Sequence, residues 1–383
     1  MGLLRKKIES VMLEKSGARV GAPERAGLWL LSQCYGAGIA VRNGLYRQGL
    51  CGSRKLPCRV ISIGNLTVGG TGKTPMAIDI VQRLRGLGVP VAVISRGYGG
   101  RRQKAGGIVS DGKQIRMSAR EAGDEPVLMA ERLRGVPVLV GKDRYRVGMA
   151  AIERFGVQVL VLDDAFQYLA VHRDWNLVLL DGARPFGNGH LLPRGPLREP
   201  ISSLRRADTI VLTRCDGPRM TEQDQQRLRH LAAASPVFHC RHVVEGVVAL
   251  RRPQSRMGRA VGRLSEGDPG ALNGRRVLAF SGIVGNRAFQ EMVSTLGCRM
   301  IQGLSFPDHH QYTNDDLEAI LKSARRGGCD VVVTTEKDLV RIGERASSWP
   351  IEVLALRIKI SFGREEGAFQ GALSERVFRG LSV

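Results

Sequence analysis

The stretch RVISIGNLTVGGTGKTP, residues 59–75, decides the fold. The β-branched residues of the run Val60 to Ile63 predict a buried strand, and a glycine-rich loop ending in Gly72-Lys73-Thr74 follows at once. Apolar residues at positions 76, 80, 81 and 84 then predict a helix. In this strand–loop–helix order a G-x-x-x-x-G-K-[ST] loop binds polyphosphate, because its backbone N–H groups gather at a helix N-terminus. The sequence therefore predicts a phosphate-binding loop, or P-loop.

The loop supplies the predicted nucleotide-binding residues. Thr67 stands where the motif has its first glycine, and the glycines at positions 69, 70 and 72 keep the backbone freedom that the loop needs. We expect Lys73 to reach the β- and γ-phosphates of the bound polyphosphate and the Thr74 hydroxyl to bind Mg²⁺. The predicted cofactor-binding residues are Thr67, Val68, Gly69, Gly70, Thr71, Gly72, Lys73 and Thr74.

A phosphate loop of this kind also needs an acidic residue at the end of a neighbouring strand. Asp163 and Asp164 provide it. They follow the apolar run 157–162, and carboxylates at the carboxyl edge of a parallel strand lie beside the phosphate loop. Mg²⁺ prefers such oxygen ligands. Because adjacent side chains of a strand point to opposite faces, at most one of the two is expected to bind the metal directly. The alternative is an N-cap for the next turn.

The rest of the chain alternates short apolar runs with helical stretches. The predicted strands are 60–63, 89–94, 138–140, 157–162, 177–180, 209–212, 277–280 and 331–334. Near-continuous apolar strands separated by helices predict an α/β, P-loop NTPase-like fold, a mostly parallel sheet with helices on both faces. The Gly-, Arg- and Pro-rich stretch Arg251 to Gly274 predicts a loop before a smaller C-terminal α/β domain. The predicted division is an N-terminal helix region at 1–55, a P-loop domain at 56–240, a linker at 241–275 and a C-terminal domain at 276–383.

Composition narrows the class of protein. The chain has 383 residues, of which 43% are hydrophobic and 25% charged, which excludes disordered and fibrous classes. A net charge of +22 attracts an acidic partner, which is a nucleic acid, an anionic membrane or a phosphorylated substrate. Aromatic residues amount to only 5%, which argues against a base-stacking surface. Seven scattered cysteines without a C-x-x-C pair indicate reduced thiols and argue against a zinc site.

The N-terminal region has the composition of an interfacial helix. Residues 26–41 carry no charge and include Trp29, Leu30 and Leu31, but the segment is too short and too polar for a membrane span of about 20 apolar residues. Over residues 1–60 there are eleven basic residues against three acidic ones. An aromatic, apolar helix framed by Arg and Lys is typical of contact with anionic headgroups. The alternative is a helix packed on the domain with a solvated basic face.

A GTPase is one alternative for a P-loop protein of this kind. Thr213-Arg214-Cys215-Asp216 follows a predicted strand and is a loose relative of the guanine-reading N-K-x-D motif. However, no D-x-x-G follows from Asp163 or Asp164, so the usual γ-phosphate sensor is missing. An ATP-dependent transferase fits better, and a basic, GTPase-like regulator or nucleic-acid-binding protein remains the alternative.

Taken together, the motifs resemble the tetraacyldisaccharide 4'-kinase family over nearly the whole chain. The motifs that carry the resemblance are residues 61–75, Ser95-Arg96-Gly97-Tyr98-Gly99, Gly123-Asp124-Glu125-Pro126, Asp163-Asp164-Ala165-Phe166-Gln167, 191–199, Asp308-His309 and Thr335-Glu336-Lys337-Asp338. The resemblance implies transfer of phosphate from Mg-ATP to the 4'-hydroxyl of a tetraacylated glucosamine disaccharide 1-phosphate in lipid A biosynthesis. It also implies a peripheral protein at the cytoplasmic face of the bacterial inner membrane, with an anionic membrane surface and no nucleic acid as partner.

The resemblance also implies roles for individual residues. It pairs Asp124 with His309 as catalytic residues. Lys73 of the phosphate loop is the third predicted catalytic residue, and Glu125 is a weaker metal candidate beside Thr74 and Asp163 or Asp164. From the residues alone, the segment 123–126 fits a helix start equally well, and His310 remains an alternative to His309. The family usually reads D-D-G-F-Q-H where this chain has Ala165 and Tyr168. The expected substrate-binding residues are Arg96, Tyr98, Gln167, Arg198 and Glu199.

Overall fold

The N-terminal part of the chain is built on one large sheet. The computed structural model describes residues 21–217, 219–250 and 264–378. The first eight strands are β1 (Arg59–Asn65), β2 (Val91–Ser95), β3 (Gly107–Asp111), β4 (Pro137–Val140), β5 (Val159–Leu162), β6 (Trp175–Asp181), β7 (Thr209–Thr213) and β8 (Val237–His239). They form one sheet in the order β3-β4-β2-β5-β1-β6-β7-β8. Every neighbouring pair is parallel except β3 and β4.

Helices connect these strands and cover both faces of the sheet. They are α1 (Ala22–Arg47), α2 (Lys73–Gly86), α3 (Ala119–Ala122), α4 (Asp124–Arg132), α5 (Arg144–Phe155) and α6 (Glu222–Leu231), with a 3₁₀ turn at Ile201–Arg206. Strands β2 and β5 are buried along their whole length, as the continuous apolar runs predict for a sheet with two covered faces. Strand β1 lies between β5 and β6, so the phosphate loop and Asp163 leave the sheet at the same edge. The predicted α/β fold is confirmed.

A second, six-stranded sheet follows. Its strands are β9 (Arg241–Leu250), β10 (Leu264–Gly267), β11 (Arg276–Ser281), β12 (Arg299–Ser305), β13 (Val331–Thr335) and β14 (Glu352–Ser361), in the order β10-β9-β14-β13-β11-β12. The helices here are α7 (Asn286–Ser294), α8 (Asn314–Arg326) and α9 (Glu336–Ile342), with 3₁₀ turns at Pro269–Leu272 and Gly343–Ala346. We call residues 241–250 and 264–361 the second unit, and the part before residue 241 the first unit.

The second unit differs from the predicted domain division at its start. The segment 241–275 was expected to be a linker, but its described parts contain β9 and β10, which pair with each other, while β9 also pairs with β14. Strand β9 is only partly buried, and Glu245 and Gly246 interrupt its valines, so its sequence lacks the continuous apolar run of a buried strand. The central part of the predicted linker, residues 251–263, lies outside the described residues.

The C-terminal end differs as well, because helix α10 (Glu366–Phe378) packs on the first unit. Its Phe369 ring lies 6.1 Å from the Trp175 ring of β6 and 5.3 Å from the Phe238 ring of β8. Leu373 and Val377 are buried in the same hydrophobic cluster. The segment predicted as one domain, 276–383, therefore contributes to the cores of both units.

Helix α1 lies on the edge of the first unit near residues 187–201. The Ser32 hydroxyl donates to the carbonyls of Leu28 and Leu191, and the Tyr35 hydroxyl donates to the carbonyl of Arg198. Several large apolar side chains on the helix remain exposed, including Trp29, Leu30, Leu31 and Val41. Among the described helices, none is long and apolar enough to cross a membrane.

Candidate active site

The predicted phosphate loop runs from the end of β1 to the start of α2. Gly69 and Gly72 have φ angles of 114° and 84°, in the region that favours glycine. Gly72 is the N-cap of α2, and the first N–H groups of a helix have no intrahelical partners and attract anions. Thr67 and Thr71 are buried, and the Val68 N–H donates to the carbonyl of Pro196. The loop thus presents backbone donors at a helix N-terminus, as polyphosphate binding requires.

Lys73 and Arg198 converge on Asp164. Lys73 Nζ lies 3.6 Å from Asp164 Oδ1, and Arg198 Nη1 lies 2.8 Å from the same oxygen. Burial alone would raise the pKa of Asp164, but the two cations lower it. The carboxylate therefore stays ionised and holds Lys73 beside the loop.

Asp163 has a different environment although it is the adjacent residue. It is 1% exposed, its Oδ2 accepts a hydrogen bond from Ser95 at 3.2 Å, and its Oδ1 has no partner among the described residues. Burial, and then the neighbouring carboxylates of Glu125 and Asp164, raise the pKa of Asp163 to about 7. A divalent cation beside Oδ1 would relieve this unfavourable burial of negative charge.

The donor set around Asp163 fits Mg²⁺. No three His, Cys, Asp or Glu side chains in the described ranges are assembled as a metal cluster. That arrangement is compatible with Mg²⁺, which binds through one or two carboxylates and takes its other ligands from water and phosphate. Thr74 lies in the first turn of α2, at the same sheet edge as Asp163.

Asp124 and His309 are brought together from the two units. Asp124 is the first residue of α4 and is 8% exposed, whereas His309 follows β12 with a φ of 58°. His309 Nδ1 lies 3.3 Å from Asp124 Oδ2. The Tyr98 ring meets the imidazole edge-on, with ring centroids 5.6 Å apart. His310 points elsewhere, since its Nε2 lies 2.9 Å from Asp316 Oδ2.

Two cations on helix α9, Lys337 and Arg341, complete this cluster, and no motif in the sequence gives either of them a role. Arg341 forms an ion pair with Asp124 and donates to Asp338 at 2.9 Å. Lys337 Nζ lies 2.9 Å from Glu125 Oε1 and 3.4 Å from His309 Nε2. Positions 337 and 341 share a helix face, because residues four apart are neighbours on a helix. The four-residue spacing of these two cations, which starts inside the motif 335–338, is the sequence signal that could have identified them as site residues.

The cluster keeps the Asp124 carboxylate ionised. Burial would raise the pKa of Asp124, but His309, Lys337 and Arg341 hold it well below its usual range. Burial would lower the pKa of Lys337, but Glu125, Asp124 and Asp308 raise it. Because Glu125 contacts Lys337 and also raises the pKa of Asp163, it links the Asp124–His309 pair to the candidate metal edge.

The expected substrate-binding residues have different positions. Arg96 and Tyr98 are exposed in the loop after β2, and the Gln167 amide donates to the carbonyl of Asn65 at the start of the phosphate loop. Arg198 faces Asp164, as described above. Glu199 is not part of this site: it is fully buried, and its carboxylate binds Arg42 of α1 and Arg206.

Both departures from the family pattern are accommodated in the structure. The left-handed residue at this turn is Asp164, with φ of 49°, while Ala165 has no positive φ and is buried in the core. The Tyr168 hydroxyl accepts a hydrogen bond from the Arg144 N–H at 3.2 Å, and the Arg144 guanidinium lies 4.6 Å from the ring centroid. Tyr168 therefore packs against a buried arginine.

A phosphate loop and an acidic strand end, together with a buried carboxylate in contact with a histidine, define a P-loop phosphotransferase. Comparisons with known proteins give its family. Residues 25–377 match the family model described as LpxK, tetraacyldisaccharide-1-P 4'-kinase. The chain therefore belongs to the tetraacyldisaccharide 4'-kinase family, the ATP-dependent kinases of lipid A biosynthesis.

Individual relatives agree with this assignment. The tetraacyldisaccharide 4'-kinase of Desulfatibacillum aliphaticivorans is 43% identical over 370 residues, which cover 94% of this chain and 95% of that protein. The enzyme of the same name from Syntrophus aciditrophicus is 43% identical over 339 residues and covers 86% of each chain. Among solved structures, LpxK from Aquifex aeolicus in complex with ATP has 33% identity and a TM-score of 0.71, and the match covers 92% of this chain and 99% of that one. These relatives favour the kinase over the GTPase-like alternative.

Proposed function

We propose that this chain transfers the γ-phosphate of ATP to the 4'-hydroxyl of a tetraacylated disaccharide 1-phosphate, with Asp124 and His309 receiving the proton of that hydroxyl. The observation that carries the proposal is the contact of 3.3 Å between Asp124 Oδ2 and His309 Nδ1, next to Glu125, whose charge acts on Asp163 at the sheet edge from which the phosphate loop leaves. Phosphoryl transfer needs an oriented hydroxyl and neutralisation of spreading negative charge more than it needs covalent chemistry.

The pair suits this step because its members are fixed by their neighbours. Arg341 holds Asp124, and both Asp124 Oδ2 and Arg341 Nη2 lie 3.3 Å from His309 Nδ1, so the imidazole is held between the two side chains. Lys337, at 3.4 Å from Nε2, supplies positive charge beside the reacting oxygens. Proton transfer by a positioned pair contributes about 10² to 10⁴ in rate.

Lys73 and the proposed Mg²⁺ site, both beside the phosphate loop, neutralise the negative charge of the phosphates. Lys73 is held at 3.6 Å from Asp164, next to the N-terminus of α2, where it can reach the β- and γ-phosphates. Thr74 and Asp163 are the proposed Mg²⁺ ligands, and Asp164 and Glu125 are weaker candidates because Arg198 and Lys337 already pair with them. When bound, Mg²⁺ neutralises charge that develops on the β- and γ-phosphates.

The lipid acceptor and the exposed face of α1 suggest where the chain works. Trp29, Leu30, Leu31 and Val41 are between 46% and 63% exposed, on a helix that is anchored to the first unit through Ser32 and Arg42. Together with the net charge of +22, this face fits the surface of an anionic bilayer. We infer a peripheral location at the cytoplasmic face of the bacterial inner membrane.

The experiment combines γ-labelled ATP with the tetraacylated disaccharide 1-phosphate in the presence of Mg²⁺. We expect label in the lipid with the wild-type protein and loss of that label with Lys73→Ala. The matched control is Lys322→Ala, which removes an exposed lysine on α8 and should leave transfer unchanged. Nucleotide hydrolysis that depends on nucleic acid, with no label in the lipid, would instead support the regulator alternative.

A further inference from the structure

His242 lies on β9 of the second unit and reaches across to the phosphate loop of the first. A Cβ atom placed on Gly72 would lie 2.6 Å from His242 Nε2 and 2.9 Å from its Cε1. The edge of the imidazole therefore packs directly on the Gly72 backbone. Gly72 is confined to glycine for two independent reasons, the left-handed φ of 84° and this contact.

Arg214 and Val284 also lie next to the glycines of this loop, and they differ from His242 in what they offer. Arg214 donates to the carbonyl of Gly70. Val284 lies 3.8 Å from the position that a Cβ on Gly69 or Gly70 would occupy. Arg214 already has partners, because it makes this hydrogen bond and an ion pair with Asp181, and Val284 is apolar. His242, in contrast, has a polar atom without a hydrogen-bond partner in the described part of the chain.

That polar atom is Nε2 of His242. It is buried and makes no hydrogen bond within the described residues. Burial, and then the nearby Arg214, lower the pKa of His242 to about 4, so the ring is neutral near pH 7 and carries one donor and one acceptor. The charged groups that face it are Arg214, Asp216 and Asp181. Leaving a buried nitrogen unpaired is unfavourable, so a loop conformation that gives Nε2 a partner is favoured.

We propose that His242 is a positioning residue for the phosphate loop, and that its Nε2 gains a hydrogen bond when the loop holds a nucleotide. Through this bond His242 favours the nucleotide-bound conformation at Gly72, the N-cap of the phosphate-binding helix. The inference rests on the proposed nucleotide-dependent function, but it concerns binding rather than transfer to the lipid.

The test is titration calorimetry of Mg-ATP into the full-length protein. His242→Ala should raise the Kd for ATP about fivefold, the change that a net hydrogen-bond free energy of about 1 kcal/mol produces. His242→Gln, which keeps a polar atom at the end of the side chain, should stay within about twofold of wild type. The control is His230→Ala on the exposed face of α6, which should leave the Kd unchanged.

A steady-state assay gives a second readout. The KM for ATP should rise with His242→Ala while kcat at saturating ATP stays within about twofold, because His242 does not touch the reacting atoms. If His242→Ala does not fold, as judged by its thermal unfolding curve, His242→Phe replaces it, since Phe keeps the ring without the nitrogens.

Two results would overturn the inference. One is a folded Ala or Phe variant that binds ATP as tightly as wild type. The other is a Gln variant that binds as weakly as Ala, which would leave no role for a hydrogen bond. If wild-type protein binds ATP but transfers no label from ATP to the lipid, the proposed function is wrong. The role of His242 is still tested in that case by the Kd for ATP of the variants.

Discussion

His309 Nδ1 lies 3.3 Å from Asp124 Oδ2, although Asp124 begins α4 of the first unit and His309 follows β12 of the second. The phosphate loop belongs to the first unit, while the three cationic or titratable partners of Asp124, namely His309, Lys337 and Arg341, belong to the second. The candidate site is therefore complete only where the two units meet.

This relationship predicts that Asp124 and His309 act as a unit. Asp124→Ala and His309→Ala should each lower kcat by about 10² to 10⁴, and the double variant should lose no more than the more damaging single variant. Steady-state kinetics with the lipid acceptor measure this. His310→Ala is the matched control, because His310 pairs with Asp316. Multiplicative losses in the double variant, or an equal loss in His310→Ala, would contradict the prediction.

Arg341 is expected to be needed for folding stability as well as for the site. Its side chain is 3% exposed and binds two buried carboxylates, Asp124 and Asp338. Arg341→Ala leaves both without this partner, so the free energy of unfolding should fall by about 3 kcal/mol. Denaturant unfolding measures it. Arg287→Ala, at a side chain that is 92% exposed, should change the value by less than about 0.5 kcal/mol. Equal effects of the two substitutions would refute the structural role.

Glu131 gives the protein a pH-dependent stability term. Burial, and then the Glu336 carboxylate, raise its pKa to about 7, above the value of about 4.3 in an unfolded chain. At a pH between these two pKa values, Glu131 carries a proton in the folded state but not in the unfolded state. The contribution of protonated Glu131 to the free energy of unfolding is therefore fully present at pH 4 and is lost as the pH rises through 7.

Glu131→Gln removes that term. The difference in free energy of unfolding, variant minus wild type, should therefore increase by about 2 to 3 kcal/mol as the pH rises from 5 to 8. Thermal unfolding of both proteins at the two pH values measures the change. A difference between variant and wild type that is the same at pH 5 and pH 8 would show that Glu131 does not titrate in this range.

The exposed face of α1 is expected to bind anionic membranes. The triple substitution Trp29→Ser, Leu30→Ser and Leu31→Ser should weaken partitioning to anionic vesicles at least about tenfold, because each apolar side chain that enters the bilayer contributes about 1.5 to 3 kcal/mol. Vesicle cosedimentation measures it. Leu87→Ser, at an apolar side chain that is 37% exposed after α2, is the control. Unchanged partitioning of the triple variant would remove the membrane role of this face.

The sequence alone was sufficient for the features that depend on neighbouring residues. The phosphate loop could be predicted because strand, loop and helix are consecutive, so the N–H groups that bind phosphate lie within residues 67–74. Asp163 followed from the parallel sheet, in which the carboxyl ends of strands share an edge. The pairing of Asp124 with His309 came from the family resemblance, since no local pattern joins them.

What the sequence could not give depends on how distant segments meet. Glu199 was expected near the substrate, but Arg42 of α1 and Arg206 neutralise it in the core, and nothing in its local sequence indicates those partners. The contacts of Arg341 with Asp124 and of His242 with Gly72 arise only because the second unit packs against α4 and the phosphate loop. Strand β9 could not be predicted from the sequence, because it is only partly buried and therefore lacks the continuous apolar run that indicates a buried strand.

The most direct measurement is mass spectrometry and ³¹P NMR of the lipid after incubation with ATP and Mg²⁺. The account predicts a second phosphomonoester on the disaccharide, at the 4' position, with one ADP formed for each, and formation of this product at least about a hundredfold slower with the Asp124→Ala protein. Release of inorganic phosphate with an unmodified lipid, or the same lipid product from Asp124→Ala at the wild-type rate, would contradict it.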